Sequence, residues 1–324
     1  MLEKWKKAVI HLECATSSQS ANDYLTRIGE LHDSLIKGEI TDAEFSEQIS
    51  VGNRDVRFHG TALFISHENR RYLLTARHVL WNEIEAKRTL EVAHEKAQTK
   101  PVGFREQFLQ DAHANAQDII FDIIFRVPSI DEVAAGKPEP EFLMNLGSGA
   151  PQTRPYTFSD PSLDLALVSL DQHDSRFADE LLESGFEPIS SDDIAEGPEA
   201  EGQDLFAIGF PSATALLGQV DQHLSKKPWS SNRYSLPASS FGRVSMLHPL
   251  LPLYWADISI YPGNSGGPVV ANDRLIGIVS AQATLPIDDV PHVRTRIPFG
   301  RIIKPSFVRE LLVEQCRKDQ FFNR

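Results

Sequence analysis

The stretch "YPGNSGGPVV", Tyr261 to Val270, sets Gly263, Gly266 and Gly267 around a single serine, Ser265, and then runs into two valines. Proline, glycine, asparagine and serine are ordinary turn residues, because they fix φ, allow positive φ or bond their own backbone. A turn alone does not need a serine enclosed by glycine ahead of an apolar strand. Serine is a poor nucleophile at neutral pH; it needs a base, a group that orients the base, and donors for the developing oxyanion. Glycine at 263 lets the N–H groups of Gly263 and Ser265 point into one small hole, with no side chain to crowd a substrate carbonyl. Gly266 and Gly267 allow close backbone approach as the strand begins. Such a loop needs a base and an acid from elsewhere in the chain.

Among 11 histidines, His78 in "LLTARHVL" stands at the end of an apolar run, where a rigid element can aim it into a cleft. His59 and His67 lie nearby without that setting. The acid candidate is Asp164 in "SLDLALVSL", a carboxylate among apolar neighbours that is costly there unless hydrogen-bonded. A turn or helix-cap role is the plain alternative for it. Asp160 and Asp171 flank the same run rather than enter it.

The 324 residues suit two domains or barrels of about 100–150 residues each. No apolar run approaches the roughly 20 residues that span a bilayer, and "MLEKWKKAVIHLEC" lacks the apolar core of a signal peptide. The two cysteines, Cys14 and Cys316, make no disulfide framework, so a cytoplasmic protein with free thiols is expected. A net charge of −13 repels phosphate backbones and argues against nucleic-acid partners. Residues 171–204 hold twelve carboxylates against Arg176 alone, which reads as a solvated acidic connector. His94 and His113 lie near acids without metal-ligand spacing, and no metal or cofactor is expected. The basic-aromatic "LSKKPWSSNR" (224–233) reads as a loop bordering the cleft.

Short apolar runs recur with frequent turn signals: 5–14, "TALFIS", "RYLLTA", 118–127, 141–146, 162–170, "DLFAIGFP", "FGRVSML", "LYWADISI", "PVVA", "RLIGIVSAQA" and "RTRIPFGRI". That density predicts an all-β fold of barrels. Helical periodicity interrupts it from Tyr24 to Ile36, restarts behind Thr41 and Glu44 as a capping box, returns over 83–117, and closes the chain over 306–322. The segment "ELHDSLIKGEITDAEFSEQI" resembles the helical hairpin called the SHOCT motif over about 25 residues.

"TARHV", "DLALV" and "GNSGGPV", in that order, resemble the chymotrypsin-like (trypsin-like) serine proteases. The order His…Asp…Ser belongs to that resemblance. It implies two antiparallel six-stranded barrels: residues 1–170 with helical inserts at about 18–50 and 82–117, the connector 171–204, and 205–324 with a C-terminal helix. It implies His78 as general base, Asp164 as its orienting acid, Ser265 as nucleophile, and Gly263 and Ser265 as oxyanion donors. "GIVSAQA" resembles the strand that pairs with substrate, with Ser280 behind the triad and Ala281 and Gln282 beside the peptide. "SIYPG" resembles the pocket entrance, with Tyr261 in its wall and Ser259 on the floor in place of trypsin's aspartate. Arg294 and Arg296 share one face of the following strand, and either line that pocket as partners of an acidic substrate or point to solvent.

Asn264 replaces the aspartate of the digestive enzymes, so "PGNSGGP" is more similar to the HtrA-type branch, with no PDZ domain expected. The resemblance implies an intracellular serine endopeptidase that acts on protein or peptide, with no membrane partner, regulated by a protein partner at its helical insert. The alternative is a binding or scaffold protein of the same fold with a closed site.

Overall fold

The apolar runs of the sequence are strands covered on both faces. In β2 (Arg57–His67), Leu63 and Ile65 join one buried cluster and Ala62 and Phe64 another; in β7 (Leu165–Ser169), Leu165 and Leu167 separate from Ala166 and Val168 in the same way. Successive strand side chains point to opposite faces, so a run without polar alternation is a strand with no wet side. The computed structural model describes residues 1–15, 19–50, 57–134, 144–146, 153–172, 175–212, 214, 234, 236–287 and 290–322. The segment 224–233 lies outside them.

The N-terminal sheet runs in the order β5 (Met144–Asn145), β4 (Ile123–Arg126), β1 (Val9–Ala15), β2, β3 (Arg70–Ala76), β7 and β6 (Tyr156–Phe158). Its neighbours are antiparallel, and β8 (Ile189–Ser190) adds in parallel against β2. It is an open, eight-stranded half-barrel rather than the six-stranded ring implied by the resemblance. The extra edge strands β4 and β5 extend the sheet beyond β1, and among the described residues no ladder joins β5 to β6.

The second unit does close. β9 (Asp204–Gly209), β10 (Ala238–Met246), β11 (Leu253–Asp257), β14 (Val290–Ile303), β13 (Arg274–Ile287) and β12 (Pro268–Ala271) form a six-stranded antiparallel barrel. The all-β, chymotrypsin-like double-barrel expectation therefore holds, with half of it open.

Three cores follow. Leu12, Phe64, Leu73 and Val168 fill the half-barrel; Leu205, Tyr254, Val279 and Ile302 fill the closed barrel. Between them Leu63, Leu74, Leu167, Phe206, Ile208 and Ile278 form a joint core, sealed by Trp5 from the N-terminal helix and by Val308, Leu311 and Leu312 from the C-terminal one. The run 5–14 is thus not one strand: α1 (Leu2–Ala8) buries Trp5 and Ala8 on one face, and the Trp5 indole donates to Asp273 Oδ1 at 2.8 Å before β1 begins.

Helices occupy the inserts. α2 (Gln19–Ile36) and α3 (Asp42–Ser50) separate β1 from β2, and the capping box is present: the Thr41 N–H donates to Glu44 Oε2 (2.8 Å) and the Glu44 N–H to Thr41 Oγ1 (3.3 Å). One helical turn, α4 (Arg77–Leu80), follows β3; α5 (Glu83–Gln98) and α6 (Val102–Gln117) form a hairpin closed at its base by the Trp81–Ile120 bridge, and the short α7 (Ile130–Ala134) follows β4. The acidic stretch is folded chain rather than bare connector. Its helix α8 (Arg176–Glu183) buries Phe177, Ala178 and Leu181 in the half-barrel core, while Asp171 and Asp179 both bind Arg71. Its carboxylates serve packing as well as solvation. No helix among the described residues is long and apolar enough to cross a membrane.

The last helix, α9 (Ser306–Phe322), docks through a buried polar cluster. Asp319, fully buried, accepts from the Tyr72 hydroxyl (3.1 Å), the Ser169 hydroxyl (2.8 Å) and the Gln315 amide (2.9 Å). Burial, followed by the Asp319 charge, pushes the Tyr72 hydroxyl far above its ordinary range, so it remains a donor. Removing the acceptor strands several buried donors, each worth about 1–3 kcal/mol. Asp319→Ala is therefore expected to lower the unfolding free energy by about 3–5 kcal/mol, read from urea denaturation.

Candidate active site

β3 ends at Ala76, and the single turn α4 lifts His78 out of the sheet. Opposite it, the turn 160–164 leads into β7 with Asp164 at φ 55°, a left-handed conformation that aspartate tolerates better than most residues. The Arg77 N–H bonds the Asp164 carbonyl at 3.0 Å, which locks the two turns together. The carboxylate then accepts three hydrogen bonds: the His78 backbone N–H to Oδ1 (3.0 Å), His78 Nδ1 to Oδ2 (2.8 Å), and the Ser280 hydroxyl to Oδ2 (2.7 Å). Burial alone would push the Asp164 carboxyl up, but bonding and charge from His78, with the Ser280 hydroxyl, hold it below its ordinary range. An ionised acceptor at Nδ1 requires the proton on that nitrogen and, in the neutral imidazole, leaves Nε2 as an acceptor.

Ser265 rides on the loop between β11 and β12. Gly263 (φ 98°) and Gly266 (φ 86°) are both left-handed, and both are crowded: a Cβ at 263 would meet the Phe210 carbonyl at 2.2 Å, and one at 266 the Thr61 carbonyl at 2.1 Å. The N–H groups of Asn264, Gly266 and Gly267 are tied to Tyr261, Val279 and Asn264 carbonyls. Those of Gly263 and Ser265 have no backbone acceptor among the described residues. Two free donors beside a serine are the chemical requirement of an oxyanion hole. The Ser265 hydroxyl donates to the Ser280 carbonyl at 3.4 Å, and no hydrogen bond joins it to His78 among the described residues.

A cleft of about 720 Å³ between the two units brings together His78, Asp164, Gly263, Ser265, Tyr261, Ser280, Ala281, Gln282 and Arg296. Ser259 is not among them: it is exposed on a separate groove with Phe241 and Asp257, while its neighbour Ile260 lines the cleft. Neighbouring residues of extended chain point opposite ways, so Ile260, not Ser259, faces the pocket. The two arginines also part company. Arg296 lies exposed at the cleft, whereas Arg294 donates to Thr284 Oγ1 (2.8 Å) and the Thr284 carbonyl (3.1 Å).

The other candidates are engaged elsewhere. Asp160 accepts the Ser162 N–H at 2.8 Å, Asp171 holds Arg71, and His67 Nδ1 lies 2.9 Å from Ser191 Oγ. His59 does line the cleft, and Phe58 meets His78 edge-on at 6.2 Å. His94 and His113 contact each other across the α5–α6 hairpin, with ring centroids 6.0 Å apart.

The sequence reading passes over Thr61, which the fold makes central. This buried residue of β2 donates its N–H to the Ser265 carbonyl (2.9 Å) and its hydroxyl to the Gly263 carbonyl (2.7 Å). Its Oγ1 accepts the Phe210 N–H (3.1 Å) and its carbonyl the Thr75 hydroxyl (2.7 Å). Nothing in "HGTALF" signals this, because two of the partners lie some 150 and 200 positions downstream.

Comparison with known proteins follows the same lines. The profile of the trypsin-like peptidase domain matches residues 60–278, a span that contains His78, Asp164 and Ser265. The serine protease PepD of Mycobacterium tuberculosis is 34% identical over 143 residues, 42% of this chain and 26% of that protein. The chain thus spans about a quarter of that curated relative. Among solved structures, protease Anisep from Arthrobacter nicotinovorans aligns over 94% of this chain and 93% of its own at 12% identity and TM-score 0.43. The thermostable serine protease AL20 from an extremophilic microorganism aligns over 95% of both chains at 11% identity and TM-score 0.45.

Two outcomes follow from the geometry. Thr61→Val removes one hydroxyl and leaves the Gly263 carbonyl and Phe210 N–H buried without it. It should cost about 2–4 kcal/mol in denaturant unfolding, while Thr61→Ser retains most of that stability. Asp164 titrates lower folded than unfolded, so its contribution is fully present above the ordinary carboxylate value and is lost as pH falls through the lower folded one. Between about pH 4 and the acid limit, the melting temperature of Asp164→Asn should therefore fall less steeply than that of the wild type.

Proposed function

The chain belongs to the trypsin-like peptidase family, and we propose that it is a serine endopeptidase working through His78, Asp164 and Ser265. One observation carries the reading: an imidazole whose Nδ1 is bonded to a triply bonded carboxylate shares a cleft with a serine, beside two backbone N–H groups that have no backbone acceptor among the described residues. Rotation of the Ser265 hydroxyl from the Ser280 carbonyl toward His78 Nε2 would hand its proton to the imidazole as the oxygen attacks a peptide carbonyl. The Gly263 and Ser265 N–H groups would hold the oxyanion; the imidazolium then protonates the leaving amine, and water, activated in turn by His78, releases the acyl group. Asp164 stays ionised throughout and stabilises the imidazolium.

Ile260, Ala281 and Gln282 border the cleft near Ser265, and among the described residues the one carboxylate that lines it is Asp164, which His78 and Ser280 already engage. A basic residue before the scissile bond is accordingly disfavoured, and Arg296 at the cleft offers an acidic side chain a partner beside the small apolar wall of Ile260 and Ala281. Proteins or peptides are the substrate class, and control by a protein partner at the helical insert and an intracellular setting belong to the same reading.

The position of the Ser265 hydroxyl, bonded to the Ser280 carbonyl rather than to His78, is the observation that favours the second reading, a scaffold with an idle site. A fluorophosphonate probe separates the two, since it requires an activated serine and an open oxyanion hole. Wild-type protein should label at Ser265, and Ser265→Ala should neither label nor cleave peptides while melting within about 1 °C of wild type. Asp164→Asn should reduce turnover by about 10⁴-fold, the magnitude known for the chymotrypsin-type triad. Labelling that persists in a pure Ser265→Ala preparation would dismiss the assignment.

A further inference from the structure

One guanidinium joins the acid turn to the nucleophile-bearing barrel. Arg301 belongs to β14, opposite Ala281 in register, and lines the cleft. Its Nη1–H donates to Ser280 Oγ (3.0 Å), and its Nη2–H donates to the Ser162 carbonyl (2.5 Å). Ser162 sits in the turn that carries Asp164, a turn closed by the Leu163 and Asp164 N–H groups on the Asp160 carbonyl (2.9 and 3.3 Å). Ser280, in turn, donates to Asp164 Oδ2 at 2.7 Å.

A hydroxyl has one proton. With Arg301 donating to its oxygen, the Ser280 proton is directed to the carboxylate, and the nearby cation polarises the O–H and strengthens that donation. The second arm of the guanidinium fixes where the carboxylate stands, because it holds the turn from which Asp164 projects. Lysine could not do both, since its ammonium is a point charge on a flexible stem, whereas the planar fork of arginine reaches two acceptors with fixed separation. Arg301 makes no ion pair among the described residues. Its charge is used on a hydroxyl and a carbonyl that both lead to Asp164.

We propose that Arg301 is a positioning residue: it acts through Ser280 and the Ser162 carbonyl to aim Asp164 at His78 across the boundary between the two units. The proposal rests on the serine-hydrolase reading above for its catalytic consequence, and on the hydrogen bonds alone for its structural one. It identifies a residue of the cleft wall that bonds none of the reacting atoms and still governs the rate through Asp164.

The test is a double-mutant cycle on the full chain. The readouts are the rate of Ser265 phosphonylation by a fluorophosphonate and kcat and KM on a peptide selected from a library. Arg301→Ala should lower the phosphonylation rate and kcat by about 10- to 100-fold, the scale of a misplaced catalytic group, with KM within about twofold. Ser280→Ala should produce a loss of similar size, and the double variant should be little worse than the more damaged single one, since both break one relay. Arg301→Lys should recover only part of the loss.

Independent multiplication of the two losses would overturn the relay. A rise in KM with kcat unchanged would reassign Arg301 to substrate binding. Should Arg301→Ala lose its fold by near-UV circular dichroism, Arg301→Gln replaces it in the same cycle. A proton NMR measurement in the resting protein keeps this inference separable from the enzymatic one. The resonance of the His78 Nδ1–H should move in both the Arg301 and Ser280 variants. If the wild type fails to react with the probe yet that resonance moves, the hydrolase reading falls and the relay stands; if the probe reacts and the resonance and rates do not change, the relay falls alone.

Discussion

Four hydrogen bonds meet on Thr61: two hold the Gly263 and Ser265 carbonyls of the Ser265 loop, a third takes the Phe210 N–H of the same barrel, and the fourth braces Thr61 against Thr75 within its own hairpin. Each joins groups that burial has removed from water. A buried polar atom without its partner costs about 1–3 kcal/mol, so the loop cannot slide along β2 without losing several at once. Gly266 brings the backbones together at this point, since any Cβ would strike the Thr61 carbonyl. The backbone freedom of glycine and the two-way hydrogen bonding of threonine therefore solve one geometric problem: a serine on the second barrel must stand at a fixed place relative to a histidine on the first.

The joint core explains why that problem has a stable solution. The hairpin of β2 and β3 presents alternate residues to the half-barrel interior and to the second barrel, so the sheet between them serves both sides. An open half-barrel is tolerable because its outer face is covered: the C-terminal helix lies over β6 and β7 through Thr157, Ser169, Gln315 and Asp319, and α1 seals the other end through Trp5. Chain ends, not strand closure, complete the N-terminal unit.

Much of this is legible in the sequence, and its boundary is physical. Strands buried on both faces announce themselves as unbroken apolar runs, and the capping box of Thr41 and Glu44 is local enough to be read from spacing. That His78, Asp164 and Ser265 line one cleft is foreseeable from the resemblance carried by "TARHV", "DLALV" and "GNSGGPV", since residue type alone leaves 11 histidines to choose among. Long-range partners are not foreseeable. "WKKAVIHLEC" has one pattern but two conformations, and its helical part is held by Trp5 meeting Asp273, 268 positions downstream in the β12–β13 turn. The resemblance of "SIYPG" to a pocket entrance implies Ser259 on the floor, yet Ser259 lies on a separate groove and its neighbour Ile260 lines the cleft. The acid of 171–204 looks solvating until Arg71 is seen between Asp171 and Asp179. Thr61 and Arg301 carry no local signal at all, since each matters only for what it reaches across the boundary.

Apolar burial and directional bonds divide the work at that boundary. Hydrophobic contact is non-directional, so the joint core holds the two units together without setting their register to better than a side chain's play. Catalytic geometry tolerates far less, since a shift of about 1 Å can cost a hundredfold in rate. Register must then come from hydrogen bonds that cross the boundary near the cleft, and the structure has them on both flanks. Thr61 fixes the Ser265 loop from the first unit, while Ser280 and Arg301 of the second unit bond Asp164 and the Ser162 carbonyl of the first. With one crossing on each side, a rocking of the barrels that relieves one set strains the other. His78, which stands between them and takes its orientation from Asp164, inherits a position that neither unit could specify alone.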